Sequence, residues 1–151
     1  MLDNIWHLRG STHIGNTSGE EALDQIEALL DQQRKPLTEE RVGYRAFHTS
    51  LFENAFGPSW LSMVAYEKGA FWIEESTQGR ILKYDLRSLH ALIFCVVAAG
   101  IFFLFGFAND GVAGSARYAT FAFLWLYGGN MLLAWIRIPR AIRKAVRAKG
   151  N

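Results

Sequence analysis

Two long runs without a single charge set the strongest limit on what this chain can fold into. Ser88–Asn109 holds 22 consecutive uncharged residues, mostly Leu, Ile, Phe, Val and Ala, between Arg87 and Asp110. Tyr118–Ile136 holds 19 more, bounded by Arg117 and Arg137. At about 1.5 Å of rise per residue, either run spans roughly 30 Å as a helix, the thickness of a bilayer's hydrocarbon core. Both are apolar on every side, and a chain of 151 residues has too little other protein to cover two such helices as a soluble core. The sequence therefore predicts two transmembrane helices, about 89–108 and 118–136. The nine-residue polar connection 109–117 permits only a direct return, so the pair should form an antiparallel hairpin.

Charge then sets the expected orientation. The net charge of +2 hides an asymmetry: residues 1–88 carry thirteen acidic and nine basic side chains, whereas 89–151 carry Asp110 against seven bases. Lys83 and Arg87 precede the first span, and Arg137, Arg140, Arg143, Lys144, Arg147 and Lys149 follow the second, while the loop has only Arg117. By the positive-inside rule both termini are expected in the cytoplasm, with these eight basic residues at lipid headgroups. In the tail 137–151, Ile138, Ala141, Ile142, Ala145 and Val146 share one helical face, opposite Arg140, Arg143, Lys144 and Arg147. Pro139 suits the first turn of a new helix. The pattern reads as a short basic amphipathic helix lying on an anionic leaflet, at about 1 kcal/mol per basic residue near the surface. Its direct attachment to a membrane span makes lipid phosphate the nearer partner than nucleic acid. The first 20 residues have no apolar signal core, so Asn16-Thr17-Ser18 reads as chance and not as a glycan site.

The spans carry two stripes of small residues, Ala91, Cys95, Ala99 and Gly106 on the first and Ala119, Ala122, Gly129 and Asn130 on the second. Small residues let helix backbones approach. The stripes either face each other within the hairpin or dock another membrane protein or a second copy, with Ala99, Gly106, Trp125, Gly129 and Asn130 as candidate contacts. Trp125 and Tyr127 lie near mid-depth, where indole and phenol groups need partners. No ionisable residue occupies the interior of a span, which argues against an ion pathway. His90 is expected at the interface, and the single Cys95 cannot form an intramolecular disulfide.

Residues 1–88 read as a cytoplasmic α+β domain with order β-α-β-β-β-β. Ser18 and Glu21 have capping-box spacing ahead of an apolar face of Ala22, Leu23, Ile26, Leu29 and Leu30, with Asp24, Glu27 and Asp31 turned to solvent. Strands are expected at Val42–Thr49, Trp60–Tyr66, Ala70–Glu75 and Arg80–Tyr84, with a further one at Ile5–Arg9. Hairpin turns are expected at Glu67–Gly69 and Ser76–Gly79. One helix packed on an antiparallel sheet of four to five strands is the expected fold. In the insertion Leu51–Ser59, Phe52 and Phe56, with Trp60, either close the sheet edge or form a docking patch.

Catalytic signatures are scarce. His7, His13 and His48 lack metal-ligand spacing, no nucleotide, hydrolase or zinc-protease motif occurs, and Glu74 and Glu75 point to opposite faces of a strand. His48 with Glu53 is the one acid–base pair that can be drawn. No catalytic, cofactor or metal residue is therefore assigned. A small sheet-and-helix domain joined to a helical hairpin is similar in layout to bacterial membrane-anchored pleckstrin-like proteins, although the early helix departs from their C-terminal one. The expected location is a bacterial inner membrane. The expected role is a non-catalytic accessory, scaffold or assembly subunit. The alternative is a regulatory domain sensing a lipid or small ligand in a pocket of Trp60, Tyr66, Trp72 and Tyr84.

Overall fold

The computed structural model describes residues 6–15, 17–50, 63, 65–77 and 79–147. Five strands, β1 His7–His13, β2 Leu37–Arg41, β3 Tyr44–His48, β4 Lys68–Ser76 and β5 Gly79–Arg87, form one antiparallel sheet ordered β1-β5-β4-β3-β2. Helix α1, Gly19–Gln32, follows β1. Two long apolar helices, α2 Leu89–Asn109 and α3 Gly111–Arg147, follow β5.

The α+β class and the order of elements match expectation, but two strands differ in identity. β2 is a polar edge strand, Leu-Thr-Glu-Glu-Arg, without apolar alternation. It pairs with β3 through a tight Val42-Gly43 turn, where Gly43 supplies φ +72°. The strand expected at Trp60–Tyr66 is not formed by its described residues: Met63 and Ala65 lie in turns, and Tyr66 N donates to Met63 O at 3.0 Å. Lys68 and Gly69 belong to β4 and do not form a hairpin turn. Gly69 is required there because a Cβ would overlap the Phe47 ring and a Leu86 methyl.

α1 starts at Ser18, whose hydroxyl accepts from Glu21 N at 3.1 Å. Its anticipated apolar face, Ala22, Leu23, Ile26, Leu29 and Leu30, is buried in one core with Phe47, Phe71, Leu82 and Leu86 from the sheet. Each such Leu, Ile or Phe contributes about 1.5–3 kcal/mol. The acidic face is exposed as expected, and it also has a partner. Glu20, Asp24 and Glu27 converge with Glu40 on the buried Arg45 guanidinium, at 3.1 to 3.7 Å.

The hairpin departs from expectation in two ways. The nine-residue loop is absent: the chain reverses at Gly111, with φ 69° and ψ −171°, and helical structure resumes at once. A non-glycine residue resists that φ, which explains why the reversal falls there. Ser115 Oγ donates to Gly111 O at 2.6 Å, supporting the new first turn. The separate tail helix is also absent. α3 continues for 37 residues through Pro139 to Arg147, roughly 55 Å. Proline's lost N–H costs one helical bond, and burial of the surrounding turns offsets it. Ile138, Ile142 and Val146, at 0, 0 and 2% exposure, join the domain core beside α1. In the amide orientation that satisfies its neighbours, Gln25 of α1 donates to Ala145 O and Val146 O at 2.7 and 3.0 Å. The apolar stripe read as lipid-facing therefore faces protein.

Candidate functional site

The region where the sheet meets the two long helices holds most of the buried polar chemistry. β5 ends at Arg87 and α2 begins at Leu89, with no linker between them. Ser88 N donates to Trp6 O at 2.8 Å, tying the joint to the start of β1. The Ser88 side chain makes no capping bond to α2. Glu67 fills that role from a distance: its Oε1 accepts from Leu89 N at 3.0 Å. A carboxylate at a helix N-terminus satisfies a free N–H and also interacts favourably with the helix dipole. Glu67 N in turn donates to Arg87 O at 3.0 Å, and Thr49 N donates to Glu67 O at 2.8 Å. β3, the turn before β4, β5 and α2 thus meet at one residue.

α3 enters the same joint. Tyr66 Oη donates to Met131 Sδ at 3.6 Å, and Ser88 Oγ lies 3.9 Å from the same sulfur. Lys35, 2% exposed, donates through Nζ to Tyr66 O at 2.8 Å and stands 5.8 Å from the Phe47 ring centroid. Burial lowers the Lys35 ammonium to about 8, a shift opposed by the Glu67 charge. Burial likewise holds the Tyr66 phenol above its ordinary range. Glu67 Oε2 has no hydrogen-bond partner among the described residues. The arrangement packs solidly and acts as a joint between domain and hairpin.

Within the hairpin the small residues are largely used. Cys95 and Ala99 of α2 and Ser115 and Ala122 of α3 are buried at 9% exposure or less, and Gly106 is buried with them. A Cβ on Gly106 would stand 2.9 Å from Ser115 Cα. A π-helical turn at Leu124–Gly128 adds a residue to α3. It brings Tyr127 and then Met131, Ala134 and Ile138 into phase with the buried side. Of the candidate contacts, Ala99 and Gly106 therefore belong to the helix pair itself. Trp125, 72% exposed, points outward and stacks on Phe121 at 6.3 Å. Asn130 is exposed and donates to Leu126 O of its own helix at 2.6 Å, and Gly129 has open space beside it. Phe52, Phe56 and Trp60 lie outside the described residues.

The eight candidate headgroup residues separate in position. Arg87 stands at the hairpin end of the sheet. Lys83 is four residues back along β5, about 13 Å away, and is ion-paired with Glu74. Arg137 is the first charge after the second apolar run and is exposed. Arg140, Arg143, Lys144 and Arg147 are carried about 5 to 15 Å beyond it by the continuous helix. Arg143 and Arg147 line a shallow groove with Ser11, Thr12, His13 and Pro139. Lys149 lies outside the described residues.

Of two constellations expected from the sequence, one is not assembled and the other lies partly outside the described residues. Tyr66 and Tyr84 are packed in the core, whereas Trp72 stands on the opposite sheet face, so these residues do not enclose a common pocket. His48 pairs with Lys68, six residues along β4 from Glu74, or roughly 20 Å; Glu53 lies outside the described residues. Among the described residues no group of three or more His, Cys, Asp or Glu is placed to hold a metal ion. Compared with family models, curated proteins and solved structures, the chain matches none.

The joint built around Glu67 could not have been read from the sequence. Its only signal is an acidic residue just before a strand, and the capping contact spans 22 residues.

Proposed function

We propose that the chain is a two-pass membrane protein that holds its α+β domain rigidly at the cytoplasmic face of a bilayer, as a non-catalytic accessory or scaffold subunit. One observation carries this reading. The apolar helices are continuous with the domain at both attachments, α2 through the Glu67-capped joint and α3 through the buried Ile138, Ile142 and Val146. Domain and hairpin therefore share one core and move together. The rest of the hairpin surface is apolar and uncovered: only 11% of either apolar window is buried by the chain itself. A core helix of a soluble protein is mostly buried, so lipid or a partner helix is the expected cover. A rigid platform suits positioning a partner better than a hinged anchor does. The outward Phe121–Trp125 stack is the surface most suited to a partner helix.

Two measurements test the reading. The chain should stay in the membrane pellet after alkaline carbonate extraction, and mild-detergent purification should return it with a stoichiometric protein partner. Release by carbonate would end the two-pass assignment. A bare monomer in mild detergent would end the subunit assignment alone.

A further inference from the structure

The sheet has one face that neither α1 nor α3 covers, and its hairpin end carries an unusual line of side chains. The strand registers pair His7 with Arg87, Arg87 with Lys68, and Lys68 with His48, placing the four directly opposite one another across β1, β5, β4 and β3. Directly paired residues share a face. The neighbouring Leu86 and Phe47 point into the core, so all four lie on the open side, where the His7 side chain, 7% exposed, is itself covered. The line spans about 14 Å, three strand spacings, and lies two residues from the first turn of α2.

Like charges directly opposite each other destabilise a sheet, so Arg87 facing Lys68 serves no folding purpose. The carboxylates nearby neutralise the line only in part, on its His7 and Arg87 side. Asp85 is shared among His7, Arg9 and Arg87, at 3.0, 3.5 and 3.8 Å, and Glu39 is paired with Arg41. The Lys68 and His48 side chains have no ion-pair or hydrogen-bond partner among the described residues. Behind the line, Ala70 and Ala46 leave a groove of about 460 Å³ lined by Tyr44, His48, Lys68 and Arg87 and also by Asp85 and Glu39, whose carboxylates are already engaged by His7, Arg9 and Arg87 and by Arg41. That volume is ample for a small charged group.

We infer that this line binds the phosphate of an anionic phospholipid headgroup, seating the hairpin end of the sheet's open face on the leaflet. Lys68 and Arg87 supply the permanent charge, and the Ala46–Ala70 floor admits the headgroup. The inference rests on the two-pass reading, because the hairpin is what holds these side chains at headgroup depth.

The test uses the full chain in a zwitterionic detergent, titrated with phosphatidylglycerol, with phosphatidylcholine and with inorganic phosphate, following the thermal midpoint. Phosphatidylglycerol should raise the midpoint and the other two should not. The double variant K68Q/R87Q should fold, having lost a repulsive pair, and should bind phosphatidylglycerol roughly tenfold more weakly or worse. R80Q removes a charge farther along the sheet and should bind as wild type does. Equal weakening in both variants, or no weakening in either, would overturn the site. A response to inorganic phosphate that needs Lys68 and Arg87 would overturn the lipid assignment in favour of a soluble phosphate ligand. Carbonate extraction of the same variants separates failure of the site from failure of the membrane reading.

Discussion

At the scale of single residues, the buried pair around the joint should make stability depend on pH. Lys35 loses its proton near pH 8 in the fold but near 10.5 when unfolded. Between those values the unfolded chain binds more protons, so stability rises with pH across that window. Thermal midpoints in detergent should climb from pH 8 to 10, and the climb should vanish in K35M. In E67Q the charge that supports the ammonium is gone, so the climb should begin at lower pH. An unchanged profile in both variants would mean that Lys35 is not buried as a cation. Glu67 also caps α2, and E67A should cost about 1 kcal/mol or more at any pH.

At the scale of elements, two glycines of α2 offer a paired test. Gly100 has open space around its Cα, while a Cβ on Gly106 meets the Ser115 backbone. Alanine relieves glycine's entropic cost in a helix by up to about 1 kcal/mol. G100A should therefore stabilise and G106A destabilise, by about 1–3 kcal/mol where the backbones must separate. The same sign for both changes would mean that the helices do not meet at Gly106. The C-terminal turns of α3 give a second contrast. I142A should lower domain stability by about 2–5 kcal/mol if Ile142 is core, and hardly at all if it faces lipid headgroups.

That second contrast marks where the sequence was ambiguous. An amphipathic stripe shows that a helix has an apolar face, but a leaflet and a protein core are equally good covers for it. The α1 stripe and the two apolar runs were legible because length and periodicity decide them locally. β2 was missed because a polar edge strand needs no apolar alternation: its pairing comes from the Val42-Gly43 turn and the β3 backbone. A strand at Trp60–Tyr66 is not formed by its described residues, because Tyr66 is buried in a turn at the joint. The length of the hairpin loop was overestimated because residues 112–117 are small and polar enough to resemble a loop while also tolerating a helix. The cationic line was invisible for a different reason. Its four members lie far apart in sequence, and only the strand registers bring them together.

At the scale of the whole molecule, the domain and the hairpin share one core and leave an apolar shaft uncovered. Rigidity follows from having two attachments. A single-span anchor could swivel, whereas here β5 runs directly into α2 and α3 returns into the domain. Cutting one attachment should therefore weaken the whole domain: a chain ending at Arg137 loses Ile138, Ile142 and Val146 from the core and should fold poorly even with the sheet sequence intact. The central claim is that the domain and the Gly111 turn lie on opposite sides of a bilayer. In a C95A background, a cysteine at Ala113 beside the turn and another at Val42, 94% exposed at the β2–β3 tip, can be probed in intact cells with a membrane-impermeant thiol reagent. The account predicts labelling at position 113 from outside and at position 42 only after the membrane is opened. Labelling of both positions from the same side would contradict it.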